Sequence, residues 1–159
     1  MEFFIAFKNS LLLPKKKAVF RLNRISMRNT LVYLFLVLFL ALSPNFILSA
    51  LSNKELLEGN GLDLFLLQLI VLYPMVCIFL GIVVISLLAG GGMLLKGLFK
   101  RKLAYQQLWK MSVFALTIPL ILFFIISFLE LRHWMLYIGL LVLFYLYITF
   151  MIMVYPKRK

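Results

Sequence analysis

One histidine, one cysteine and five acidic residues in a chain of 159 leave little material for catalysis. The lone Cys77 cannot form a disulfide within the chain, and with His133 as the only imidazole no His/Cys metal centre can be assembled. There is no H-E-x-x-H motif, no pair of Asp residues in an apolar run and no His placed near a Ser, so metal-assisted hydrolysis, intramembrane aspartyl chemistry and triad-type nucleophilic catalysis all lack their groups. No enzyme activity, metal or cofactor is expected. The first residues, MEFFIAF, carry neither the basic n-region nor the small-residue cleavage site of a secretory signal peptide, and are expected to be retained.

What the chain has in quantity is apolar surface. Apolar residues make up 65% of it and charged residues 14%, against about 45–50% and about 25% in an ordinary soluble domain. Four runs contain no charged residue: 29–50, 64–89, 111–129 and 135–155. At ~1.5 Å per residue each covers at least ~28 Å as a helix, enough to cross a hydrocarbon core of ~30 Å with local adjustment at its ends. The second run covers ~39 Å and must tilt, bend near Pro74 or project beyond the bilayer. The expected fold is an all-α integral membrane protein, one domain over 1–159 with four transmembrane helices.

A formal charge of +12 would suggest nucleic acid in a soluble protein. Here the charge is distributed by loop. Lys and Arg number seven before the first run, one in 51–63, five in 90–110, one in 130–134 and three after Tyr155. Because these residues resist translocation, the alternation predicts both termini and the middle loop on the cytoplasmic side. Trp109, Trp134 and Tyr155 sit at run ends, where amphipathic rings favour the headgroup level. Phe3, Phe4, Phe7 and Leu11 recur at helical spacing before Pro14, which predicts an N-terminal interfacial helix over 3–13 lying on the inner surface. A second interfacial segment is expected over 93–109, forming a basic cytoplasmic elbow between spans 2 and 3. Within it Lys96, Lys100, Arg101, Lys102 and Lys110 are expected to touch anionic inner-leaflet lipid, with Trp109 at the interface and Tyr105, Gln106 and Gln107 free for recognition. Some 18 residues between two spans offer no folded surface for nucleic acid, so none is expected as a partner.

Three motifs qualify this picture. AGGGMLLKG, 89–97, resembles a phosphate loop only superficially, because no Ser or Thr follows a Gly-Lys pair and no strand precedes it; Gly90, Gly91 and Gly92 are expected to end the second span as a hinge. Pro74 and Pro119 fall inside spans and should kink them, with Thr117 recovering part of the lost backbone bonding. Tyr33, Tyr73, Tyr145 and Tyr147 lie deep, so their hydroxyls should find partners between helices, while Gln68 should bond another helix or reach the headgroups. Glu130 and His133 in the outer turn read as polar punctuation.

FKNSLLLPKKKAVFRL before the first span and KRKLAYQQLWKMSVFALTIPLIL across the third resemble the bacterial multi-span membrane family grouped as domain of unknown function 1189. Its members are often labelled maltodextrin-utilisation proteins, and the family is distantly similar to Yip-type membrane proteins. The resemblance implies a multi-pass protein of the bacterial cytoplasmic membrane with no catalytic residues to carry over. It also implies a long extracytoplasmic insert after the first span, which 51–63 replaces here. The expected role is a non-enzymatic accessory or interaction subunit, contacting anionic lipid and a membrane-protein partner or a second copy of itself. The alternatives are a small oligomeric transport or permeation unit, linked to sugar uptake through the family label, and a lipid-acting membrane enzyme.

Overall fold

The computed structural model describes residues 2–52, 65–129 and 133–157. The described residues form helices throughout: α1 Glu2–Leu11, α2 Lys16–Asn23, α3 Met27–Ser52, a π-helical turn Gln68–Leu72 leading into α4 Tyr73–Leu98, α5 Tyr105–Ala115, α6 Thr117–Phe128 and α7 Trp134–Met153. Four rods are long and apolar enough to cross a membrane, namely α3, the stretch Phe65–Leu98, α5 with α6, and α7. The 51–63 loop, apart from the last helical residues of α3, and Glu130 in the turn before α7 lie outside the described residues.

The α5–α6 rod is the centre of the bundle. Met111 through Ala115 are all buried, and α5 packs against α1, α2, α3, α4, α6 and α7. Its interior position follows from its composition, since between Leu108 and Ala115 only Lys110 is charged and the small Ser112 and Ala115 let neighbouring helices approach. By contrast α4 buries one narrow stripe, Cys77, Gly81, Ile85, Ala89 and Gly92, spaced by about one helical turn. The rest of its surface is apolar and exposed, with Phe79, Leu87, Leu94 and Leu98 each more than 60% accessible.

At both prolines expected to kink a span the regular helix is locally interrupted. The π-turn directly precedes Pro74, the second residue of α4, and its wider ring takes up the contact between the pyrrolidine and the carbonyl one turn back. Around Pro119 the interruption is one residue, Leu116. Leu116 N–H still reaches the Ser112 carbonyl at 3.1 Å and Leu120 N–H the Leu116 carbonyl at 2.9 Å. The rod therefore continues, short of the bond that proline cannot donate. Pro44 is a further proline inside a long helix.

Two elements differ from expectation. The helix does not end at the glycines but runs through Gly90, Gly91 and Gly92 to Leu98, so the segment predicted as interfacial over 93–109 is divided between the end of α4, a short turn and the start of α5. The glycines serve close packing. A Cβ on Gly91 would run into the Tyr145 hydroxyl of α7, and one on Gly92 would stand 3.2 Å from Leu108 of α5, whereas one on Gly90 would meet nothing within 4 Å. The N-terminal helix α1 forms, but it packs against α3, α5 and α6 instead of lying free on a surface. Phe3, Phe4 and Phe7 line a groove with Val37, Leu40 and Ala41 of α3 and Leu120, Ile121 and Phe124 of α6. Leu40 is about 20 Å along α3 from Met27 at ~1.5 Å per residue, so α1 reaches well down the bundle. The aromatic stripe explains the change, because Phe3 and Phe114 both contact the buried Tyr33 ring at tilted angles, with centroids 5.4 and 5.1 Å away.

Candidate functional site: the cationic end of the bundle

The starts of α3 and α5 and the ends of α4 and α7 meet at one end of the bundle, where the α1–α2 cap and the 99–104 turn gather the described cations. α2 is amphipathic and short, KKAVFRLN, and buries Ala18, Val19 and Leu22. Eight residues cannot hold a helix alone in water, so its position depends on docking. Lys110 of α5 supplies one clamp, its ammonium donating to the Asn23 carbonyl at 2.6 Å and the Ile25 carbonyl at 3.0 Å. A cation satisfying the last carbonyls of a helix is favoured by both hydrogen bonding and the helix dipole. Phe20 adds a ring contact to Tyr155, with centroids 5.7 Å apart.

Between α1 and α2 opens a cavity of about 770 Å³ lined by Lys15, Lys16, Lys17, Arg21 and Arg24 together with Asn9, Leu12, Ala18 and Phe20. Five exposed cationic residues border this open concavity, whose accessible lining is mostly apolar and, among the described residues, contains no carboxylate. The acidic residues of the chain stand at positions 2, 55, 58, 63 and 130. A molecule with an anionic group among the bordering cations and an apolar part against the wall is the chemistry such an arrangement favours.

On the other side of this end the 99–104 turn clasps the C-terminal tail. α4 closes with Lys100 N–H bonded to the Gly97 carbonyl at 3.1 Å and Arg101 N–H to the Lys96 carbonyl at 3.2 Å. This paired pattern is a Schellman cap, and its left-handed position is taken by Lys100, at φ 48°, where glycine is usual. The chain then reverses so that Arg101 forms an antiparallel bridge with Lys157. Lys102 N–H bonds the Pro156 carbonyl at 3.2 Å, and the Arg101 guanidinium donates to the Tyr155 carbonyl.

The predicted site residues thus separate into groups. Lys100 and Lys102 are exposed and Lys96 and Arg101 half-buried; Arg101 is engaged with the tail. Lys110 is turned inward as the α2 clamp. Trp109 is 4% exposed and its indole N–H donates to Ser86 Oγ of α4 at 3.2 Å, so it is a packing residue and not an interfacial ring. Tyr105 donates to the Ser86 carbonyl at 3.4 Å and Gln107 accepts the Ala104 amide at 3.2 Å. Of the three residues expected to be free for recognition, two therefore brace the start of α5. Pro74 and Pro119 lie far along their rods from this end.

Two features have weaker sequence signals. The α1–α2 cavity is foreshadowed by Lys17, Arg21 and Arg24 at helical spacing, a pattern that topology counting treats as mere charge. A buried polar pair joins two helices where the Tyr33 and Thr117 hydroxyls lie 2.8 Å apart, while Ser10 of α1 donates to the Ala6 carbonyl at 2.8 Å. The expectation that Tyr33 finds a partner between helices holds there. Other buried hydroxyls satisfy themselves locally, Ser112 to the Leu108 carbonyl at 3.0 Å and Thr30 to the Ser26 carbonyl at 3.0 Å.

No curated protein and no solved structure matches the chain. A family model described as protein of unknown function (DUF1189) matches residues 51–154. That range takes in α4 to α7, including the α5 hub and the turn that clasps the tail, and leaves the α1–α2 cap and most of α3 before it. With well over half of the chain matched, and the matched part forming the centre of the bundle, this protein belongs to the DUF1189 family.

Proposed function

We propose that the protein is a non-enzymatic accessory or interaction subunit of the bacterial cytoplasmic membrane, its cationic end inside, where it contacts anionic lipid and a membrane-protein partner. The observation that carries this reading is the contrast between α4 and α5. The hub α5 is buried all round from Met111 to Ala115, whereas α4 presents a long apolar face with only one buried stripe. Such a face suits lipid or the helix of a partner, and helix packing in lipid needs no polar group to be favourable. The interior supports the same reading. The buried Asn9, Ser10, Thr30, Ser112 and Thr117 bond nearby carbonyls or Tyr33, an arrangement suited to holding helices together.

Gentle extraction from native membranes, followed by mass spectrometry of copurifying proteins and lipids, tests the proposal. A stoichiometric partner lost on placing Lys or Glu at Leu87 or Leu94 supports it. A lone homo-oligomer argues against it. A transport unit is the second reading, favoured by the interruption of the α5–α6 rod at Leu116 and the π-turn before Pro74, since broken helices serve as moving parts in carriers. Solute flux into liposomes containing the purified protein would move weight to that reading.

A further inference from the structure

The cations of α2 are placed against the preferences of the helix they sit on. Lys15, Lys16 and Lys17 crowd its N-terminal end, where unpaired amides and the helix dipole favour negative charge. The N-cap, Lys15, makes no side-chain capping bond and the first turn contains no acidic residue. Lys17, Arg21 and Arg24 then follow at i, i+4 and i+7, so like charges are neighbours along one face, an unfavourable arrangement in an isolated helix. Yet α2 is held firmly in this position from below, by Lys110 on its C-terminal carbonyls and by its buried face on α5. The repulsion is focused on the cavity, whose volume of about 770 Å³ falls in the usual range for small-ligand sites, about 300–1,000 Å³. Leu12, Ala18 and Phe20 give it an apolar wall beside the cations.

We infer that the α1–α2 cavity is a binding site for a phosphate-bearing anion, with a membrane phospholipid headgroup as the source that its apolar wall favours. The five cations neutralise the phosphate, Arg21 and Arg24 offer planar forks that match its oxygens, and Leu12 and Phe20 cover the glycerol and first acyl carbons. Occupancy removes the like-charge repulsion on α2 and so stabilises the cap. The inference deepens the lipid contact of the proposed function and rests on the cationic end facing an anionic leaflet. It assigns the contact to a cavity and not to the exposed lysines of the 99–104 turn.

The test uses the full chain in phosphatidylcholine nanodiscs with added phosphatidylglycerol or cardiolipin, and native mass spectrometry to count retained lipid. The triple variant Lys17→Gln, Arg21→Gln, Arg24→Gln should lose about 100-fold in anionic-lipid affinity, the equivalent of two direct charged hydrogen bonds to the phosphate at about tenfold each. The triple variant Lys96→Gln, Lys100→Gln, Lys102→Gln, with the same loss of charge, should keep most of the wild-type affinity. Equal losses in both, or no loss in the first, overturn the inference. A readout without substitution guards against misfolding. Adding anionic lipid to the wild-type chain should slow amide exchange in α2, and unchanged exchange counts against the site. Competition by millimolar inorganic phosphate or glycerol phosphate would assign the site to a soluble phosphorylated molecule, and its absence to lipid; either keeps the phosphate chemistry. Capture of a membrane partner is measured separately, so loss of this site and loss of the accessory reading are distinguishable.

Discussion

At the scale of single residues, three neighbouring glycines have unequal roles. Gly90→Ala should stabilise the protein by about 0.5–1 kcal/mol in thermal unfolding, because a Cβ there meets nothing and alanine loses less backbone entropy than glycine on entering a helix. Gly91→Ala should destabilise it, since the added carbon meets the Tyr145 hydroxyl and ring, and Tyr145→Phe in the same chain should recover part of the loss. If both glycine variants behave alike, close approach of α4 and α7 is not what Gly91 provides. Lys100 is the opposite case, a side chain held at φ 48° in the cap position that glycine favours. Lys100→Gly should raise the midpoint of unfolding, relieving about 1 kcal/mol of left-handed strain, even though it removes a charge that positive-inside reasoning would keep.

At the scale of elements, α2 depends on its neighbours. It is too short to persist alone and its charges repel, so the Lys110 clamp and the buried Ala18, Val19 and Leu22 hold it in place. Replacing Lys110 by Met keeps the aliphatic stem and removes both bonds to the Asn23 and Ile25 carbonyls. The local cost should be about 2 kcal/mol, typical of hydrogen bonds to a charged donor. Limited proteolysis with trypsin reads this directly, as faster cleavage after Arg21 and Arg24 with the rest of the bundle intact. Unchanged cleavage would mean that apolar docking suffices. The ring contact between Phe3 and Tyr33 plays the same part for α1, tying a helix that sequence places at a surface to α3.

For the whole molecule, charge distribution and packing bear on different questions. Lys and Arg counts predict which end is inside, and reporter fusions at Gly61, Gly97 and the C-terminus check it. Gly97 and the C-terminus should report cytoplasmic and Gly61 external, and an external signal at Gly97 would reverse the orientation. The clasp between the 99–104 turn and the tail already requires those two positions to lie on one side, because Arg101 and Lys102 bond the backbone of Tyr155 and Pro156.

The sequence by itself determined the number of long apolar rods and the helix irregularities beside Pro74 and Pro119. These depend on composition along the chain, on run length against bilayer thickness and on backbone chemistry that every neighbour leaves unchanged. It also pointed to the family through the α5 block. What only the tertiary structure decided is which residues face which. Trp109 and Lys110 read as interfacial because amphipathic rings and lysines usually are, yet one bonds Ser86 and the other caps α2. The glycines read as a helix end because nothing in the sequence shows that Tyr145 and Leu108 will need the room. The N-terminal aromatics read as a surface stripe until Tyr33 and Phe114 stand beside them. In each case local preference is worth about 1 kcal/mol or less, and packing partners distant in sequence supply more, so the contact and not the propensity set the outcome.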